Sequence, residues 1–153
     1  MPNPVVPVVP DITVVDRVDE ETVEDFNRLI PQLHKNSPPL DAARLAQVLD
    51  CPSNLVLAAR IGTRTVGLLT LVILTLPTGV CARLEDVVVD EPARGRGAGL
   101  ALVRAALAAA RSRGAVQVDL TSRPSRTAAH RLYEKAGFAR RETNVYRYRL
   151  DIA

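Results

Sequence analysis

Tryptophan is absent from the 153 residues, and only five aromatic side chains occur: Phe26, Tyr133, Phe138, Tyr146 and Tyr148. Without basic and aromatic residues interleaved on one surface there is nowhere to stack bases, so nucleic acid is not an expected partner. Cysteine is limited to Cys51 and Cys81 and histidine to His34 and His130. None of the four stands at a metal-ligand spacing from another, so neither a metal nor a disulfide framework is expected, and both thiols read as inert core. No apolar run approaches the roughly 20 residues that a membrane helix requires, and the longest, 67–76, reads as a buried strand. No membrane partner is expected. Met1 to Pro10 carries four prolines and no basic flank; no secretory signal is read there, and the cytoplasm is the expected compartment. The length suits one domain, with 1–11 as a loose tail and 12–153 as a single folded unit.

Charge is present but unevenly placed. Residues 1–81 hold 6 basic and 9 acidic side chains, whereas 82–153 hold 14 and 8. The second half should therefore attract an anion, and a small polyanionic cofactor suits it better than a nucleic acid.

Apolar spacing and turn residues divide the chain into Ile12–Val18 as a strand, Asp19–Leu33 and Leu40–Leu49 as helices, and Asn54–Arg60 with Thr65–Leu76 as a hairpin around Gly62. A third long strand, Val80–Asp90, stops at Glu91-Pro92. The alanine- and leucine-rich run Ala98–Arg113 is a helix stopped by Gly114. Val116–Thr121 reads as a strand, Arg126–Ala136 as a helix stopped by Gly137, and Phe138–Arg141 and Asn144–Leu150 as two closing strands. The order β-α-α-β-β-β-α-β-α-β-β predicts an α/β (α+β) fold, a mixed central sheet of about seven strands with four helices.

Arg94-Gly95-Arg96-Gly97-Ala98-Gly99 falls between a strand and a helix start. Such a turn presents backbone N–H groups at the positive end of a helix dipole, and its missing side chains let a phosphate approach. An NTPase phosphate loop needs Lys-Ser/Thr after its last glycine, where this chain has Leu100-Ala101. A dinucleotide fingerprint needs a third small residue where Leu100 stands, and belongs in the first β-α turn rather than after some ninety residues; Asp119 alone falls where that fingerprint asks for an acid.

The segment Val87 to Gly99 resembles the signature of the GNAT superfamily of acyl-CoA N-acyltransferases: Arg or Gln, any two residues, Gly, any residue, then Gly or Ala, after an apolar strand. A second segment, Ala129-His130-Arg131-Leu132-Tyr133-Glu134-Lys135-Ala136-Gly137-Phe138, is similar to the family's later helix-to-strand segment. With the element order, the resemblance spans roughly 12–150. Leu84 to Val89 is similar to glucosamine-6-phosphate N-acetyltransferases and, with Ala128 to Arg131, to aminoalkylphosphonate acetyltransferases.

The resemblance implies acetyl-CoA as co-substrate, with a small-molecule primary amine as acceptor. It implies a pyrophosphate site at Arg94, Gly95, Arg96, Gly97, Ala98, Gly99 and Leu100, and pairing of the pantetheine arm with the backbone of Val87, Val88 and Val89, one N–H there polarising the thioester carbonyl. Where the family often has an Asn seven residues before the Tyr, this chain has Arg126; Arg126, Ser122 or Ser125 would take over its contact, with His130 on the same helix stripe.

Attack on a thioester needs a free amine, hence a proton acceptor, and the leaving thiolate benefits from a donor. Glu85 and Asp86 are adjacent carboxylates in an apolar strand, expected on opposite faces, and burial without a partner would raise either one's pKa. Glu85 is the expected base, Asp86 the second candidate, and Tyr133 the expected acid. The plainer alternatives are an ion pair with an arginine for the carboxylates and a core role for Tyr133. Rival functions are a protein acetyltransferase, acting on Lys or an N-terminus, and a non-catalytic acyl-CoA-binding domain. The acidic run Asp19, Glu20, Glu21, Glu24, Asp25 would suit a cationic acceptor, and His34, Lys35 and Arg83 an anionic one. The strand Asn144–Leu150, at the end of the sheet, offers unpaired backbone to a second copy, so a homodimer is expected.

Overall fold

The computed structural model describes residues 8–151. The first strand, β1 (Asp11–Val14), is followed by two helices, α1 (Glu20–Leu33) and α2 (Ala42–Asp50). Each helix opens on an aspartate whose carboxylate accepts from the first turn. Asp19 accepts from Thr22 N at 2.8 Å and Asp41 from Arg44 N at 2.7 Å, bonds that satisfy helix N–H groups with no intrahelical acceptor. Pro31 sits in the last turn of α1. The linker behind it is clasped by Asn27, which donates to Leu40 O and accepts from Leu40 N, both at 2.8 Å.

Three long strands follow, β2 (Asn54–Ile61), β3 (Arg64–Leu76) and β4 (Gly79–Val89), joined by tight turns. Gly62 takes φ +60 in the first of them, a conformation open to glycine at no steric cost. A 3₁₀ turn (Glu91–Ala93) leads into α3 (Ala98–Ser112), then β5 (Val118–Asp119) and α4 (Thr127–Lys135). The sheet runs β1-β2-β3-β4-β5, antiparallel up to β4 and parallel between β4 and β5.

Both faces of the sheet are covered, so its central strands are apolar on both sides. Leu57, Ala59, Leu69, Leu71 and Leu84 meet Leu102, Val103 and Ala106 of α3 on one face. On the other, Val56, Ala58, Leu68 and Val88 meet Phe26 and Leu29 of α1 and Leu45 of α2. Each leucine removed from water in these layers contributes about 1.5–3 kcal/mol.

The sheet has five strands among the described residues rather than the expected seven. β5 is two residues long where six were expected, and neither 138–141 nor 144–150 forms a strand. Val145, Tyr146, Tyr148 and Leu150 are all exposed. Apolar alternation makes a strand only where a neighbouring backbone accepts its hydrogen bonds, and among the described residues no strand pairs with this segment. The end strand on which the expected homodimer was based is therefore missing. At the other end, β1 begins at Asp11, inside the expected tail; residues 1–7 of that tail lie outside the described residues.

Candidate active site

β4 and β5 pair only at Ala82–Val118 and Arg83–Asp119. β5 ends at Asp119, so beyond Arg83 the β5-facing edge of β4 has no paired strand among the described residues, and its backbone groups are free there except Val89 O, which accepts from Arg94 Nε. The expected cofactor-pairing residues Val87, Val88 and Val89 lie along this free edge.

A β-bulge begins where this free edge begins. Thr70 of β3 pairs with Glu85 and Leu68 with Val88, so Leu69 opposes both Asp86 and Val87. The extra residue is accommodated at Asp86, whose φ of +49 is the only positive value among the described non-glycine residues. Leu84 packs in the α3-side core, as do Val87 and Val89 at its margin, whereas Val88 packs against α1. The bulge thus shifts the in–out alternation by one residue.

This slip overturns the expectation that the two carboxylates take opposite faces. Glu85 accepts from Arg83 Nε at 3.0 Å, and since Ala82 and Leu84 face α3, the Arg83–Glu85 pair lies on the α1 side. Asp86 Oδ1 lies 3.6 Å from Nε2 of His34, at the C-terminal end of α1. Both carboxylates therefore end on the α1 side of the sheet. Nor is either buried and unpartnered, as expected: their side chains are 46% and 51% exposed and each has a basic partner.

Tyr133 belongs to the opposite layer. It is 9% exposed, within the α3-side core, with its ring edge-on to Phe138 at 5.9 Å between centroids. Burial raises the phenol's pKa, and the Arg126 charge offsets this only in part. Its hydroxyl makes no hydrogen bond to another described residue. Arg126 stands at the N-cap position of α4 without a side-chain capping bond, and His130, half-buried, follows one turn later. Ser122 Oγ is the one buried side-chain polar atom among the described residues that lacks a hydrogen-bond partner within the protein.

The glycine-rich turn leads off the end of β4. Gly95 and Gly97 take φ +76 and +87, and a Cβ on either would meet no protein atom within 4 Å. Gly97 is the N-cap of α3, so the turn leaves open space over the first N–H groups of that helix, a cradle that fits a pyrophosphate. Ala98 and Gly99 are buried, and a Cβ at Gly99 would lie 2.5 Å from Leu132 Cδ1; this glycine serves the close approach of α4 to α3. Leu100 is partly buried. Arg96 is exposed. Arg94 is less free than expected, because its Nε donates to Val89 O at 2.9 Å.

Sequence reasoning passed over Asp90, read only as the end of a strand. Its buried carboxylate accepts from Arg28, from Arg64 Nη2 at 3.0 Å and from Gln32 Nε2 at 2.9 Å, while Gln32 Oε1 accepts from Glu91 N at 3.0 Å. Arg28 also donates to Thr65 O at 2.7 Å. Burial pulls the Asp90 pKa upward, but the hydrogen bonds from Gln32 and Arg64 and the charges of Arg28 and Arg64 outweigh it and hold the carboxyl below its ordinary value. This network fixes the start of the glycine turn to α1. No spacing joins residues 28, 32, 64 and 90, so nothing in the sequence signals it.

The sequence model of the Acetyltransferase (GNAT) family matches residues 16–138, and the chain belongs to this family of acetyl-CoA-dependent N-acetyltransferases. No curated protein matches the chain. Among solved structures, an acetyltransferase from Trypanosoma brucei is 30% identical with a TM-score of 0.72, covering 93% of this chain and 100% of that one. An aminoglycoside acetyltransferase from an uncultured soil metagenomic sample, solved with sisomicin, is 20% identical with a TM-score of 0.83, covering 94% and 97%. Glucosamine-6-phosphate N-acetyltransferase from Arabidopsis thaliana is 18% identical with a TM-score of 0.75, covering 90% and 98%. The last two are likenesses of fold.

Proposed function

We propose that the protein transfers the acetyl group of acetyl-CoA to the primary amine of a small molecule, with Glu85 as base and Tyr133 as acid. The observation that carries this reading is the free edge of β4 beyond Arg83, which ends on the glycine cradle of α3 and has carboxylates on one side and a buried phenol on the other. Acetyl-CoA supplies an acetyl group already activated as a thioester.

Backbone N–H groups of the Arg94–Gly99 turn, with Arg96, hold the pyrophosphate, and the backbone of Val87 to Val89 takes the pantetheine arm as an added strand. Ser122, Arg126 and His130 contribute the facing wall, where the unpartnered Ser122 Oγ is the natural donor. Glu85, on the α1 side, accepts the amine's proton; Asp86 is the alternative acceptor on the same side. Tyr133, on the α3 side, is kept protonated by burial and donates to the departing sulfur. Acid and base thus lie on opposite faces of the sheet and need not compete for one proton.

The homodimer is part of the same proposal on a new basis: a second copy covers Val145, Tyr146, Tyr148 and Leu150, which otherwise remain in water. Light scattering across the micromolar range tests it, and a monomer mass throughout would remove it. The activity is tested by free-thiol release from acetyl-CoA with a library of amines, and by a thermal shift with acetyl-CoA that NAD or ATP at equal concentration does not give. A larger shift with NAD would contradict the cofactor site.

A further inference from the structure

The α1–α2 linker and the β5–α4 loop are far apart in sequence but face one another across a cleft of about 580 Å³. Among the described residues its charged and titratable lining is His34, Lys35 and Arg123, with no carboxylate. Asn36 and Ser37 add uncharged polar groups. His34 joins the cleft to the catalytic carboxylates, since its Nε2 lies 3.6 Å from Asp86 at the β4 bulge.

We infer that this cleft is the acceptor site and that it selects an amine carrying an anionic group, phosphate or carboxylate, on the end of the molecule remote from the reacting nitrogen. The inference rests on the proposed acetyl transfer and names its substrate class. With Lys35 on one wall and Arg123 on the other, an anion entering between them meets positive charge from both sides, whereas a second ammonium group meets repulsion. An arginine fork and a mobile ammonium together suit the several oxygens of a phosphate or carboxylate. The cleft itself is positive; past its inner end His34 leads to Asp86, the carboxylate next to the proposed base Glu85, so the amine end of the acceptor would leave positive charge for negative.

The acidic run of α1 does not compete with this reading. Asp19 to Asp25 lie at the opposite end of the helix, 9 to 15 residues from His34, about 14–23 Å along the axis at 1.5 Å per residue. Two of these side chains are already paired, Glu21 with Arg60 and Asp25 with Arg28.

The test compares four primary amines of similar length as acceptors for the full chain with acetyl-CoA: 2-aminoethyl phosphate, 3-aminopropanoate, 1-aminobutane and 1,4-diaminobutane. The expected result is a kcat/KM at least about tenfold higher for one or both anionic amines than for 1-aminobutane, the scale of one hydrogen bond to a charged group. The phosphate and carboxylate arms tell which anion is preferred. Lys35→Gln and Arg123→Gln, both at exposed positions, should each lower that ratio several-fold, mainly through KM. Equal or better use of 1-aminobutane or 1,4-diaminobutane, or a ratio unchanged in both variants, would overturn the inference. Should a protein that binds acetyl-CoA acetylate none of the four, turnover cannot read the preference of the cleft. Calorimetric titration of 2-aminoethyl phosphate and 3-aminopropanoate into the CoA-bound protein then decides the cleft separately. Binding that Lys35→Gln weakens supports it, and no binding overturns it.

Discussion

Gly97→Ala separates what the glycine turn does for the fold from what it does for the ligand. At φ +87 an alanine pays roughly 1–2 kcal/mol of backbone strain, reduced by the few tenths to 1 kcal/mol that a less flexible unfolded chain returns. No protein atom lies within 4 Å of the added Cβ, so no clash term enters. The net loss should be about 1 kcal/mol, or roughly 2–4 °C in Tm for a chain of this length. The ligand should suffer more. A methyl group in the open cradle displaces the pyrophosphate from the α3 N-terminus, and each hydrogen bond to a charged group lost there is worth about 1.5–3 kcal/mol, or roughly 10- to 150-fold in Kd. Denaturant unfolding reads the first quantity and calorimetric titration with CoA the second. A folded Gly97→Ala protein with unchanged CoA affinity would refute the placement of the pyrophosphate. A stability loss of several kcal/mol would refute the claim that the space belongs to the ligand.

Glu85→Gln should retain CoA binding and lower turnover by roughly 10²–10⁴ near neutral pH, with the loss shrinking at high pH where the amine is already free; wild-type turnover at pH 7 would exclude Glu85 as base. Tyr133→Phe should lower turnover at every pH. Because burial raises the Tyr133 pKa above the ordinary 10.0, the phenol's contribution to stability should persist below pH 10 and fade as pH rises through the folded value; normal turnover with a lowered Tm would leave Tyr133 a core residue only. Asp90→Asn should cost about 2–3 kcal/mol in denaturant unfolding at pH 7. That is less than the usual loss on breaking a buried pair, because Arg28 and Arg64 keep contact with water. Since the folded-state pKa of Asp90 is lowered, the wild-type advantage should be full above the ordinary value of 3.8 and disappear as pH falls through the folded value; a pH-independent difference would argue against the ion network.

Helices and long strands were legible because each is marked locally. The apolar stripe of α1, the aspartate caps and the Gly62 turn are short-range signals, and the elements fall within a few residues of expectation. The glycine turn was equally legible, since a phosphate cradle is built from contiguous backbone. Three features were not. The bulge at Asp86 depends on how β4 registers against β3, so adjacency alone placed the two carboxylates on opposite faces. The Asp90 network and the His34–Lys35–Arg123 cleft join residues tens of positions apart. The closing strands failed for the complementary reason: their alternation is present, but a strand is a relation between two backbones, and β5 offers only Val118 and Asp119.

The free edge of β4 beyond β5 also writes a pattern into amide exchange. In the interior of an intact sheet, every amide proton of a central strand is held by one neighbour or the other. Along β4 past Arg83 only the β3-facing protons are held, so protected and unprotected amides should alternate along this inner strand of the sheet, with a break in phase at Asp86. Deuterium should enter half of this strand as readily as it enters a surface loop. A bound pantetheine arm would close those positions selectively, making exchange along a few residues of β4 a reporter of cofactor occupancy that needs no turnover.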